Sequence, residues 1–329
     1  MARRVVLDCD TGTDDAVAIM LAGLSAELEL AAVTTVRGNV PVDVVTENTR
    51  RVLQLIGRSD VPVYEGAARP LERDDFPVPK AQLTGFEMHG TYLDLPPASG
   101  PPEDASATDF LITEARRHLA DGSRFTLVAT GPLTNVARAV RSFPPMTHAI
   151  DTIVVMGGGH AVSNVTAAAE FNLWADPEAA AEVLSAGFSD LLLVPLDATH
   201  RALLSRDDCS RLRAAGTPAG IASAQLVEQR IVGHDDSQPM AERGTAPVHD
   251  AVCVAALLDR RLLTTVEAHV DVETQGRLTV GRSVIDLHHR TGRKPNARVA
   301  VDASPVRLMA QLLNAFSSRE PAPDGPVSR

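Results

Sequence analysis

Short aliphatic and β-branched runs alternate along the chain with stretches whose apolar residues recur every three or four positions. That alternation predicts strands joined by helices around a mostly parallel sheet. RRVVLD (3–8) reads as a buried strand and passes through an acidic loop into an apolar helix, DDAVAIMLAGL (14–24). LELAAVTTV (28–36) predicts a second strand, VDVVTENTRRVLQLIG (42–57) a second helix and VPVYEG (61–66) a third, short strand. From Ala67 to about Ala105 the periodicity lapses in a segment dense in Pro and Gly, a length at which loops are lids or disordered segments.

The pattern resumes with a helix near 105–120, the strand RFTLVAT (124–130), a turn GPLTN that opens a helix, and the strand DTIVVMGGG (151–159). DPEAAAEVLSAG (176–187) has the acidic first turn and closing glycine of a helix. DLLLVPLDATH (190–200) reads as a strand, 203–231 as helical and VHDAVCVAALLD (248–259) as a further helix. TTVEAHVDVET and SVIDLHH read as late strands, and SSREPAPDGPVSR as a disordered tail. No linker, repeat or shift in composition divides the chain. The expectation is one α/β domain over residues 1–316, a mostly parallel central sheet flanked by helices, with a tail at 317–329.

With 329 residues, 44% apolar and 22% charged, the composition is globular. The net charge of −11, and positive charge carried almost wholly by scattered arginines beside only Lys80 and Lys294, argue against a nucleic-acid partner, which needs a clustered basic surface. A small ligand or a metal is the expected partner instead. Cys9, Cys209 and Cys253 lie far apart with no CxxC pair, so neither a disulfide framework nor a zinc knuckle is indicated. MARRVVLDCD runs into aspartates before a signal-peptide core could form. No run of about 18 apolar residues occurs. The expectation is a cytoplasmic protein with no membrane partner.

The stretch DCDTGTDDA (8–16) then changes the picture. It sets Asp8, Asp10, Asp14 and Asp15 within eight positions, where a strand turns into a helix. Ligands of open α/β sheets bind there, beyond the carboxyl ends of strands. Asp14 or Asp15 could simply cap the helix, but capping does not account for Asp8 and Asp10. Several carboxylates converging on a buried point call for a cation, and an all-oxygen set without His or Cys indicates Ca2+ or Mg2+ rather than zinc. The string also resembles the DxDxT of haloacid-dehalogenase phosphatases, but Thr11 falls three residues after Asp8 rather than four. Neither lysine sits at a strand end, where that chemistry needs one.

DCDTGTDDA more closely resembles the opening DxDxGxDDA of the nucleoside hydrolase family, inosine-uridine-preferring type, and the likeness continues in order. GNV (38–40), VPVYEGAARPL (61–71), HG (89–90), ATGPLTNVA (129–137), EFNLWADPEAA (170–180), LDATH (196–200) and PVHDA (247–251) follow, so the resemblance covers roughly residues 3–300. It implies the nucleoside hydrolase fold with its Rossmann-like core, and hydrolysis of the N-glycosidic bond of ribonucleosides, purine or pyrimidine, to ribose and free base. It implies Ca2+ held by Asp10, Asp15, Asp250 and the Thr130 carbonyl, with Asp10 as general base. Asp14, Asn39, Asn164, Glu170 and Asn172 are carried over as ribose binders, His89 as a substrate contact and Asp8 as a support behind the loop that orients loop amides. His249 matches a histidine that helps the base depart, and having it in place of a tryptophan argues against the purine-specific branch. Trp174, the only tryptophan, is expected to pack. The resemblance also implies a homodimer or homotetramer.

The chain departs from the family on the base side. The family's tyrosines before HDA are missing from 225–246, and aromatic residues are only 3% of the chain. His89, His234, Arg230 and Gln229 are the polar candidates for the base, with Phe171 and Tyr92 as aromatic ones, while Asp235 and Asp236 read as solvated. A hydrolase of a modified nucleoside, or a nucleoside-binding protein without turnover, remain alternatives.

Overall fold

The fold is organised around a helix with no solvent face. In the computed structural model, which describes residues 2–78 and 92–317, strand β1 (Arg3–Cys9) leads into helix α1 (Thr13–Leu24), whose residues from Thr13 to Gly23 are all buried. An apolar helix without a polar stripe is stable only when covered on every side. Here the cover comes from β2 (Leu28–Thr35), α2 (Val42–Leu55) and three helices from the far end of the chain. After β3 (Val63–Tyr64) no helix or strand is formed by the described residues until α3 (Ala107–Asp121). Then come β4 (Phe125–Ala129), α4 (Thr134–Ser142), α5 (Met146–Ala149), β5 (Ile150–Met156), α6 (Phe171–Ala175) and α7 (Pro177–Ser185). The chain continues through β6 (Leu191–Val194), α8 (Leu196–Thr199), β7 (Leu203–Ser205), α9 (Arg206–Ala214), α10 (Pro218–Ser237), β8 (Thr245–Pro247) and α11 (His249–Leu258). It closes with β9 (Leu263–Val272), β10 (Ser283–Asp286), β11 (Ala297–Ala303) and α12 (Pro305–Phe316).

Nine strands form one sheet in the order β10-β9-β11-β6-β5-β4-β1-β2-β3, while β7 and β8 pair separately. Pairing is parallel from β11 to β3 and antiparallel only where β9 joins β11 and β10. Side chains alternate across the sheet: Val5, Leu7 and Cys9 of β1 enter the core beneath α1, α2 and α9–α12, and Val6 enters the core beneath α3, α4, α5 and α7. The chain winds outward from β1 in both directions, through β2 on one side and β4 on the other. The crevice beyond the carboxyl ends of β1 and β4 is therefore the switch point at which such sheets bind ligands.

Four predicted elements change, each for a local reason. The strand expected over 61–66 shrinks to two residues after Pro62, and the one expected over 190–200 stops at Val194. Pro195 has no N–H for the ladder, and LDAT turns into α8. The helical stretch 203–231 is divided: Leu203–Ser205 is a strand, Gly216 at φ +71 ends α9's segment, and Thr217 with Pro218 starts α10, which runs on to Ser237. The glycines after β5 lie outside the strand, and β11 and α12 were not expected at all. Ser317 ends the described part of the expected tail, and the remainder lies outside the described residues.

Candidate active site

The aspartates are carried by backbone that cannot drift. Asp8 stands inside the sheet, where its carboxylate accepts hydrogen bonds from the Thr34 hydroxyl at 2.5 Å and the Asn135 side-chain amide at 2.8 Å. Burial pushes its carboxyl up to about 6 against those two bonds. Asp8 does not line the cleft. It ties β1 to β2 and α4, holding side chains of neighbouring elements rather than loop amides.

Asp10 lies beyond the strand end, where its Oδ2 accepts the Asn39 backbone N–H at 2.7 Å and its carbonyl accepts the Asn39 side-chain amide at 3.2 Å. Two glycines make room for it. A Cβ on Gly38 would overlap Asp10 Oδ2, and one on Gly131 would stand 3.0 Å from Asp10 Oδ1. Asp15 caps α1 by accepting the Gly12 N–H at 2.9 Å and also accepts the Thr130 hydroxyl at 2.9 Å. The capping role weighed for it in the sequence is therefore present, yet it leaves Asp10 and Asp14 unexplained.

Asp250 enters from the first turn of α11, and the carboxylate oxygens of Asp14, Asp15 and Asp250 lie within 4.8 Å of one another. Burial, then the Asp14 charge, pushes Asp15 up to about 7. Burial, then Asp14, Asp15 and Asp10, drives Asp250 well above the carboxylate range. These groups hold more negative charge than their protein partners offset. A hard divalent cation, with its preference for oxygen ligands, fits both the charge and the donor set. The Thr130 carbonyl faces the same cleft and accepts the Asn172 amide at 2.7 Å, leaving a second lone pair.

The remaining wall is polar but mostly engaged. Glu170 caps α6, accepting N–H groups of Asn172 at 2.9 Å and Leu173 at 3.2 Å, and that of Gly158 at 2.8 Å. Burial raises its carboxyl to about 7 in opposition to these bonds. Asn164 Oδ1 accepts the Phe171 N–H at 2.9 Å. His249 opens α11 with its Nδ1 2.7 Å from the Thr199 hydroxyl and its ring 5.5 Å from that of His200.

The cleft measures about 620 Å³ and is lined by Asp10, Asp14, Asn39, Thr130, Asn164, Glu170, Asn172, His249 and Asp250, together with Phe171, Arg230, His234 and Gln238. Asp15 and Asp8 are fully buried and do not line it. His89 lies outside the described residues. Two base-side candidates fall elsewhere: Tyr92 is half exposed beneath the Arg51 guanidinium, and Gln229 is absent from the lining. Trp174 packs with Phe76 and Phe171, as expected. Asp235, read as solvated, accepts the Gly244 N–H at 3.0 Å.

Sequence reasoning missed the pairing of Arg230. Read as a residue facing a base, it lies buried against Asp14 at 2.8 Å, and no local signal connects positions 216 residues apart. Gln238, also unforeseen, donates to the Asn164 carbonyl at 3.0 Å.

Residues 5–310 match the family model described as inosine-uridine preferring nucleoside hydrolase. The chain is 40% identical over 325 residues to the pyrimidine-specific ribonucleoside hydrolase RihA of Citrobacter koseri, covering 97% of this chain and 100% of that one. It is 41% identical over 323 residues to the protein of the same name from Salmonella arizonae, covering 96% and 100%. Among solved structures, the purine-preferring ribonucleoside hydrolase from Gardnerella vaginalis matches with a TM-score of 0.84 at 29% identity, over 95% of this chain and 98% of that one. A plant nucleoside hydrolase matches with a TM-score of 0.84 at 28% identity, over 97% and 100%.

Proposed function

This chain belongs to the inosine-uridine preferring nucleoside hydrolase family, and we propose that it hydrolyses pyrimidine ribonucleosides in a Ca2+-dependent reaction at the cleft beyond β1 and β4. The observation that carries this reading is the convergence, at one cleft, of three carboxylates, which share a single arginine, with side-chain amides and a histidine. The choice of pyrimidines rests on the relatives at about 40% identity, which are named pyrimidine-specific.

In this reading Asp10, Asp15, Asp250 and the Thr130 carbonyl would hold Ca2+. When bound there, it supplies a hard positive charge that makes a nearby water a stronger acid. Asp10 takes the proton of the attacking water, held in place by the Asn39 N–H. Asp14, Asn39, Asn164, Glu170 and Asn172 face the ribose, where hydrogen bonds that strengthen as the sugar becomes cationic contribute to the rate. The C1′–N bond breaks with its electron pair going to the base, and His249 gives that nitrogen a proton. The Thr199 hydroxyl orients the imidazole at Nδ1. His89 is retained as a substrate contact.

The homodimer or homotetramer implied by the resemblance, and the cytoplasmic setting expected from the sequence, belong to the same proposal. No helix among the described residues is long and apolar enough to cross a membrane.

Ribose release from cytidine, uridine, inosine, adenosine and guanosine, with and without a chelator, tests the reading. We expect release from cytidine and uridine that a chelator abolishes and Ca2+ restores. Release that survives chelation removes the cation, and release from purine nucleosides alone overturns the pyrimidine preference. No release from any of the five by Ca2+-loaded protein shifts the reading to a modified nucleoside or a binding protein.

A further inference from the structure

Asp14, Asp15 and Asp250 each offer an oxygen within 4.8 Å of the others, so membership of the cluster does not decide which of them serves a cation and which serves the sugar. One buried side chain breaks the tie. Arg230, from the middle of α10, places Nη1 2.8 Å from Asp14 Oδ1, with the two side chains 2% and 6% exposed. The same nitrogen donates to the Thr13 hydroxyl at 3.1 Å, and Nε donates to the Pro247 carbonyl at 2.8 Å. The guanidinium is thus clamped between the first turn of α1 and β8, and it also lines the cleft.

We propose that Arg230 is a positioning residue that withholds Asp14 from the cation and presents it to the ribose, dividing one aspartate cluster into a metal part and a sugar part. The inference rests on the assignment of Asp14 to the ribose made above. A carboxylate oxygen that accepts a charge-assisted hydrogen bond from a buried guanidinium has less to give a second cation. A divalent ion shared with that carboxylate would also be repelled by the guanidinium, the more so in a poorly solvated site. Among the described residues no arginine pairs with Asp15 or Asp250, so these two accept the ion at lower cost. Only an arginine fork spans a carboxylate, a hydroxyl and a carbonyl at once; a lysine preserves the charge without the geometry.

The test uses the full chain with Arg230→Met, Arg230→Lys and Asp14→Asn. Ca2+ affinity is read directly by calorimetry on metal-stripped protein, and KM and kcat are measured on uridine with saturating Ca2+. Arg230→Met should bind Ca2+ at least about tenfold more tightly, because a repelling charge is gone. Its KM should rise at least about tenfold, because Asp14 is no longer held for the sugar. Arg230→Lys should keep Ca2+ affinity within about twofold while KM rises, since charge survives and direction does not. Unchanged or weaker Ca2+ binding in Arg230→Met overturns the division of the cluster. If Arg230→Met does not fold by circular dichroism, an unchanged KM in Arg230→Lys overturns it instead. Asp14→Asn separates the two readings. If it leaves KM unchanged, the ribose assignment fails. If it raises KM while the arginine variants do not, that assignment stands and the role of Arg230 fails.

Discussion

The two walls of the cleft are built differently. On one side the ends of β1 and β4 and the starts of α1 and α11 deliver Asp10, Asp15, Thr130 and Asp250 from backbone buried on both faces of the sheet. On the other, α10 contributes Arg230 and His234 four residues apart, with Gln238 just past its end, from a helix whose Ile221 and Val232 are 40% and 51% exposed. Asp10 and Asp15 are each held from a second element, by Asn39 and Thr130, so their position and chemistry are fixed together. Arg230 is the exception, tied to Asp14; any other residue on that helix face needs only the right spacing to reach the cleft, so its chemical type is free to vary with the substrate. On the proposed assignment, the wall that does the chemistry is thereby separated from the wall that contacts the base.

The sharpest way to break this comparison is at Asp10. Asp10→Ala should lower kcat on uridine by at least about 10³-fold with an unchanged circular dichroism spectrum, the loss expected of a general base. Near-normal turnover would show that the strand-end wall is not where the water is activated. His249 stands where the two walls meet. His249→Ala should slow uridine about 10²-fold but a 4-nitrophenyl riboside only slightly, because that leaving group needs no proton; equal losses on both substrates remove the histidine from the departure of the base.

His234 probes the helix wall and should give the smallest effect. Its Nδ1–H donates to the Gln238 carbonyl at 3.1 Å, its Nε2 is buried without a hydrogen-bond partner among the described residues, and burial together with Arg230 pushes its pKa down to about 4. At neutral pH Nε2 is therefore an acceptor that wants an N–H or O–H from the substrate. His234→Ala should raise KM several-fold, about 1 kcal/mol for one lost neutral hydrogen bond, and change the cytidine-to-uridine ratio while leaving kcat nearly intact. A kcat loss comparable to that of Asp10→Ala would erase the distinction between the walls.

The difference between the walls also explains what could be read from the sequence. Strand β1, the turn and α1 are contiguous, so Asp8 to Ala16 announced both the element change and the charge cluster in one string. His249 and Asp250 were legible because PVHDA is compact and opens a helix. The Arg230–Asp14 pair was not legible, since it is created only when α10 folds back onto α1. α12 was missed although Ser304 and Pro305 mark its start, because an apolar stripe on a terminal segment gains meaning only from the core it covers. In β11, Arg298 and Asp302 interrupt the apolar alternation, and the Arg298 partner, Asp190, is 108 residues away.

The complete enclosure of α1 has a consequence for how the molecule breathes. Amide hydrogens exchange with solvent when their hydrogen bonds open, and the free energy needed ranges from almost nothing at fraying ends to that of global unfolding in the deepest elements. With sheet on one side and α2, α10, α11 and α12 around it, α1 has no local opening available. Its deuterium uptake is tied to unfolding of the whole domain, whereas the last turn of α10, with Asp236 and Ser237 at the surface, exchanges by fraying on its own. The protein can loosen its grip at one end of the cleft many times over while the aspartates at the other end never leave their places.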